Sequence, residues 1–141
     1  MPSGSLRILV LCTHNSARSQ MAEGFLRHYL QNHAEVFSAG TRPSTLNPLA
    51  ITAMKEVGID ISHHHAKFID ALPYKDWDYV ISVCDHARET CPYIPARHNL
   101  HHSFPDPSQV NTLEAFRAVR DQIQEWAKAF AEKLSQERPA P

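Results

Sequence analysis

The sequence predicts a small three-layer α/β domain in which a four-stranded parallel sheet is flanked by helices, and three observations carry that prediction. Short apolar runs alternate with segments of helical spacing, the order that strand, crossover helix and parallel strand require. The first run, Leu6-Arg7-Ile8-Leu9-Val10-Leu11, is almost continuously apolar, as an interior strand covered on both faces should be. Cys12, Cys84 and the stretch from His102 to Asp106 each follow an expected strand, where parallel sheets bind their ligands.

The elements follow in order. After Leu6 to Leu11 comes a polar loop, then Gln20 to Leu30 with helical spacing and Met21 and Phe25 facing inward. Val36-Phe37-Ser38 reads as a short strand ended by Gly40. Leu49 to Val57 reads as a helix with Asn47 as its cap, Pro48 in its first turn and Gly58 as its stop. A short helix is expected near Ala66 to Leu72, bounded by Pro73. Asp78 to Val83 is a further interior strand, and Asn99 to His102 a short fourth one before the turn Phe104-Pro105-Asp106-Pro107. Leu113, Phe116, Val119, Ile123, Trp126, Phe130 and Leu134 recur at helical steps and describe one long amphipathic helix that packs on the sheet, with Asn111 and Glu114 placed to cap its start.

A chain of 141 residues holds one domain, expected here over residues 6–135, with flexible tails at 1–5 and 136–141. Fourteen Lys and Arg against 15 Asp and Glu give a net charge of -1, so no global basic field recruits nucleic acid. The first apolar run is too short to cross a bilayer or to act as a signal segment, which points to a cytoplasmic protein without a membrane partner. Three cysteines leave one over in any disulfide framework and suit a reducing compartment.

Cys12-Thr13-His14-Asn15-Ser16-Ala17-Arg18-Ser19 places a cysteine at the end of a strand, five intervening residues, an arginine and then a helix. Such a loop can turn successive backbone N–H groups inward, and the helix start adds its own unpaired N–H groups and the positive end of its dipole. That cradle fits a tetrahedral dianion held by Thr13, His14, Asn15, Ser16, Ala17 and Arg18, with the Arg18 guanidinium gripping two oxygens as a planar fork. The same positive field suits a thiolate at Cys12, the form that attacks. Ser19 is placed to donate a hydrogen bond to the sulfur and Asn15 to brace the loop. No Gly-Lys-Ser/Thr follows, so this is not a nucleotide-binding phosphate loop.

From this loop onward the chain resembles the low-molecular-weight protein tyrosine phosphatase superfamily, and within it the thioredoxin-coupled arsenate reductases. The resemblance rests on Cys12 to Glu23, Phe37-Ser38-Ala39-Gly40, Met54 to Ser62, Cys84 with Cys91-Pro92, and Asp106-Pro107, and it spans the chain from Leu6 to about Leu134. It implies Cys12 as nucleophile, Arg18 as oxyanion clamp, Ser19 as the residue that stabilises the thiolate and Asp106 as proton donor. It further implies that Cys84 attacks Cys12, releasing arsenite, and that Cys91 then moves the disulfide to Cys84-Cys91, where thioredoxin reduces it. Phosphate and sulfate would compete with arsenate for the cradle. The other reading that the resemblance leaves open is a phosphatase that hydrolyses phosphate monoesters through a phosphocysteine at Cys12.

Some members of the superfamily bind potassium beside the loop through residues matching Asn15, Glu23 and Ser38 plus an acidic side chain. This chain has Lys67 at the position of that acid, so an ammonium is expected to pair with Glu23 and activity to be insensitive to potassium. The ten histidines, including His63-His64-His65 and His101-His102, are read as surface or capping residues. Without a paired Cys-x2-Cys knuckle, neither a structural zinc nor any other cofactor is expected.

Overall fold

The computed structural model describes residues 6–83 and 94–137. In chain order it contains β1 (Leu6–Cys12), α1 (Arg18–Leu30), β2 (Ala34–Gly40), α2 (Pro48–Lys55), β3 (Tyr79–Ser82), β4 (His98–His101) and α3 (Leu113–Glu137). Single 3-10 turns lie at Gln31–His33, Ile69–Ala71 and Pro107–Gln109. The helix expected near Ala66 to Leu72 is only the second of these turns, because Phe68 and Leu72 on either side of it are extended. α3 continues to Glu137, beyond the boundary expected for the C-terminal tail. Residues 1–5 and 138–141, and Cys84 and Cys91 within 84–93, lie outside the described residues.

The four strands are parallel in the order β2-β1-β3-β4, which makes β1 an interior strand. Its register sets Ile8 between Val36 and Tyr79. Successive β1 side chains point to opposite faces. Ile8, Val10 and Cys12 join the core formed with α1, α2 and α3, whereas Leu9 and Leu11 join a second core with Ala39, Trp77 and Val80. That second core is covered by Ile69, Leu72 and Tyr74, with Phe37 meeting Tyr74 and Trp77 edge-on at 5.7 Å in each case. From β1 the chain passes first to one side, to β2, and later to the other, to β3. The resulting crevice at the carboxyl end of β1 is where an open parallel sheet binds its ligand, and Cys12 stands there.

Local chemistry explains the helix ends. Asn47 caps α2 by accepting from the Leu49 N–H at 2.9 Å, with Pro48 at the first helical position. α2 closes with the Gly58 N–H donating to Lys55 O and the Ile59 N–H to Met54 O, both at 3.0 Å. Gly58 takes φ +83°, the left-handed conformation this ending requires. The cap of α3 is Thr112, whose Oγ1 accepts from the Ala115 N–H at 3.2 Å, and not Asn111 as the sequence suggested. Asn111 is excluded because its φ of 57° lies outside the extended region that an N-cap adopts. Glu114 lies in the first turn of α3, where its charge suits the helix dipole.

Candidate active site

The loop from Cys12 to Arg18 is fixed from its carbonyl side. Thr13 O accepts from Arg42 N at 2.9 Å, His14 O from Ser44 N at 3.0 Å and Asn15 O from Gln20 Nε2 at 3.0 Å. Ser16 O accepts from Asn47 N at 3.0 Å and Ala17 O from Met21 N at 2.9 Å. In a trans peptide the N–H points opposite to the C=O. Five consecutive carbonyls engaged by the surrounding protein therefore turn the N–H groups of residues 14–18 toward the other side of the loop. α1 begins directly behind, at Arg18, with Ala17 at the N-cap position making no side-chain cap and no acidic residue in the first turn, so its leading N–H groups are left without a competing anion.

Asn15 is the keystone of the turn. It is fully buried with φ 52°, a conformation that non-glycine residues rarely adopt and that asparagine tolerates best. Every hydrogen-bonding position of its side-chain amide is used. Nδ2 donates to Ser19 Oγ at 2.7 Å and Ser38 Oγ at 3.0 Å, while Oδ1 accepts from Lys67 N and Gln20 Nε2, each at 3.1 Å. The backbone N–H of Lys67 fixes which end of the amide is oxygen. Because Ser19 accepts from Asn15, its own hydroxyl proton is left for another acceptor.

Further polar groups continue outward from Asn15 through Ser38. Ser38 Oγ donates to Glu23 Oε1 at 2.5 Å, and Arg27 Nε holds Glu23 Oε2 at 2.9 Å. Lys67 Nζ and His64 Nε2 each lie 4.0 Å from that carboxylate. Arg27 and Lys67 thus both face the Glu23 carboxylate. Burial pushes the Lys67 ammonium below its ordinary range, partly offset by Glu23.

His64 departs from the expectation of a surface histidine, since its side chain is only 6% exposed. Gln20 Nε2 is committed to the Asn15 and His65 carbonyls, so Gln20 Oε1 must accept the bond from His64 Nδ1 at 3.0 Å. Nδ1 therefore carries the proton of the neutral ring. Burial holds the His64 pKa below its ordinary value, against the opposing pull of Glu23.

Cys12 is 4% exposed and Arg18 2%, at the centre of this frame. Arg18 reaches across to the chain beyond β4, where Nη1 donates to Phe104 O at 3.3 Å and Nη2 lies 3.7 Å from Asp106 Oδ2. Asp106 caps the Pro107–Gln109 turn, its Oδ1 accepting from Ser108 N at 3.0 Å and Ser108 Oγ at 2.6 Å. The structure thus brings Cys12, Arg18, Ser19 and Asp106 to the carboxyl edge of the sheet. Val83, the described residue immediately before Cys84, donates its N–H to Leu11 O at 2.9 Å, beside the start of the loop. Among the described residues, no three His, Cys, Asp or Glu side chains gather as a metal site would require. No helix among them is long and apolar enough to cross a membrane.

Sequence reasoning did not single out Gln20, the segment from Arg42 to Asn47 as a backbone brace, or the need for glycine at position 40. A Cβ on Gly40 would stand 2.5 Å from Thr13 O and 2.9 Å from Cys12 O, so β2 can lie this close to the loop only without a side chain there. The run Gly40-Thr41-Arg42-Pro43-Ser44 after a strand was the available signal, but it does not say which backbone it approaches.

Comparison with known proteins agrees with this geometry. Residues 7–140 match the family model described as low molecular weight phosphotyrosine protein phosphatase. An arsenate reductase of Halalkalibacterium halodurans is 42% identical over 131 residues, covering 89% of this chain and 94% of its own. The arsenate reductase of Bacillus subtilis strain 168 is 43% identical with the same coverage. Among solved structures, an arsenate reductase in the phosphate binding state superposes with a TM-score of 0.81 at 35% identity, covering 91% of this chain and 98% of the other. Vibrio vulnificus Wzb in complex with benzylphosphonate superposes with a TM-score of 0.77 at 26% identity, covering 92% and 99%. The chain belongs to the low molecular weight phosphotyrosine protein phosphatase family, and by sequence and structure it closely matches the arsenate reductases within it.

Proposed function

We propose that the protein reduces arsenate to arsenite in the cytoplasm through Cys12, Cys84 and Cys91, with thioredoxin as the electron donor. The loop geometry supports binding of a tetrahedral oxyanion but suits hydrolysis and reduction alike. The observation that favours reduction is the 42% identity to an arsenate reductase across nearly the whole chain, in a sequence that also carries the two further cysteines.

In this reading arsenate lies against the N–H groups of residues 14–18 with the Arg18 fork on two of its oxygens. The Ser19 hydroxyl donates its remaining proton to Cys12 Sγ. The Cys12 thiolate attacks arsenic, one As–O bond breaks, and Asp106 delivers the proton with which that oxygen leaves as water. Cys84 then attacks Cys12 Sγ as a thiolate. The S–As bond breaks with its electron pair going to arsenic, which departs as arsenite, and a Cys12-Cys84 disulfide remains. Two thiols have supplied the two electrons. Cys91 attacks Cys84, regenerating the Cys12 thiolate and passing the disulfide to Cys84-Cys91 for reduction by thioredoxin.

The test separates the thiols. Cys12→Ser is expected to abolish every activity. Cys84→Ser and Cys91→Ser are expected to stop thioredoxin-coupled turnover of arsenate while preserving hydrolysis of an activated phosphate ester. If both variants reduce arsenate at the parent's rate, the relay is wrong. A second reading, phosphate monoester hydrolysis as the main activity, is favoured by the superposition on Wzb with benzylphosphonate bound. It would be supported if the parent hydrolyses such esters rapidly and fails to turn over arsenate.

A further inference from the structure

Asn111 does not cap α3, yet its side chain is engaged. Its backbone N–H donates to Pro107 O at 2.8 Å, and its side-chain Oδ1 accepts from Asn47 Nδ2 at 3.2 Å. Asn47 is itself a junction, because its N–H donates to Ser16 O in the Cys12 loop at 3.0 Å while its Oδ1 caps α2. A continuous path therefore runs from Ser16 through Asn47 and Asn111 to Pro107, the neighbour of Asp106. The Asp106 segment also has an inner tie, through Arg18 to Phe104 O and to the Asp106 carboxylate. An oxyanion in the loop competes for the Arg18 fork, so this inner tie is weakened when substrate arrives. The outer tie between the asparagines uses no group that the oxyanion engages.

We infer that Asn47 and Asn111 are positioning residues that keep the Asp106 turn in register with the Cys12 loop while Arg18 holds the oxyanion. The inference rests on the proposed reading of Asp106 as proton donor. The contact between the two side chains acts through the turn, so its effect falls on protonation of the leaving oxygen and not on oxyanion binding. A basic leaving group needs that proton, whereas one that departs as a stable anion hardly does.

Substitution at Asn111 isolates the contact, because Asn47 also caps a helix. Asn111→Gly removes the acceptor and keeps the left-handed backbone without strain, while Asn111→Asp tolerates the same backbone and retains an acceptor for Asn47 Nδ2. With phenyl phosphate, kcat/KM of Asn111→Gly is expected to fall about threefold to tenfold, and with 2,4-dinitrophenyl phosphate to stay within about twofold of the parent. Asn111→Asp should restore the phenyl phosphate rate. In an Asp106→Asn background, Asn111→Gly should cause no further loss on phenyl phosphate. An equal loss on both esters, or none on either, would overturn the inference. If the parent hydrolyses both esters but does not reduce arsenate, the reductase reading fails and the asparagine contact is still measured. If the parent hydrolyses neither ester, the inference is overturned, while turnover of arsenate by the parent and its loss in Cys12→Ser report separately on Cys12 as nucleophile.

Discussion

Around Cys12, five consecutive carbonyls are engaged, Asn15 is fully buried, and the supporting bonds come from α1, from the chain after β2 and from Lys67. Around Asp106 the bonds are mostly local, the carboxylate is 20% exposed, and Val110 nearby is 68% exposed. One loop is over-determined and the other is held by a few replaceable contacts. The contrast fits the work asked of each in the proposed mechanism. The nucleophile and its N–H cradle gain from being fixed before substrate arrives, since preorganised dipoles need no rearrangement during reaction. The proton donor acts on a single oxygen as it leaves, and the few ties from Arg18 and from the asparagines are enough to set its turn beside the loop.

The comparison breaks first at Gly40. Gly40→Ala drives a methyl group against the backbone of Thr13 and Cys12, and a displaced cradle should cost about a hundredfold or more in kcat/KM. Steady-state rates on an activated phosphate ester check this, and parent-like activity would mean that the loop is less fixed than its bonds indicate. Asp106→Asn follows, with an expected loss of about a hundredfold on phenyl phosphate and a much smaller one on 2,4-dinitrophenyl phosphate, read from the same kinetics.

The next effect tests the buried frame by pH. His64 has a folded pKa below its ordinary value near 6.5, so below that pH the unfolded chain takes up the proton more readily than the folded one. The associated stability is present above pH 6.5 and is lost as pH falls through the lower folded value. Urea unfolding between pH 7.5 and 5.5 should therefore show a steeper decline for the parent than for His64→Gln, as about two pH units span the transition. Equal slopes would show that His64 is not held neutral by its burial. The smallest effect is at the start of α3, where Thr112→Ala should cost about 1 kcal/mol of stability in denaturant unfolding and leave activity unchanged.

Much of the fold was legible because its signals are local. The apolar run of β1, Asn47-Pro48 at the start of α2, Gly58 at its end and the long stripe of α3 each state their element without reference to the rest of the chain. The cap of α3 was misread by one position because Asn111 and Thr112 are both capping residue types, and only the positive φ of Asn111 decides between them. At the site, the spacing from Cys12 to Arg18 was readable, and Glu23, Ser38 and Lys67 followed from the family pattern. The brace from Arg42, Ser44 and Asn47 was not, because it is made by backbone N–H groups that any residue except proline carries. His64 was hidden for a related reason, since His63, His64 and His65 differ in burial only once Gln20 and Glu23 are folded against the middle one.

The most direct test of the account follows the disulfide. Reduced protein is treated with one equivalent of arsenate without thioredoxin, quenched with acid, alkylated and mapped by mass spectrometry. A Cys84-Cys91 disulfide in the parent, and a trapped Cys12-Cys84 disulfide in Cys91→Ser, are the predicted results. Three alkylated thiols in the parent with arsenate unconsumed would contradict the relay and leave Cys12 a hydrolytic nucleophile.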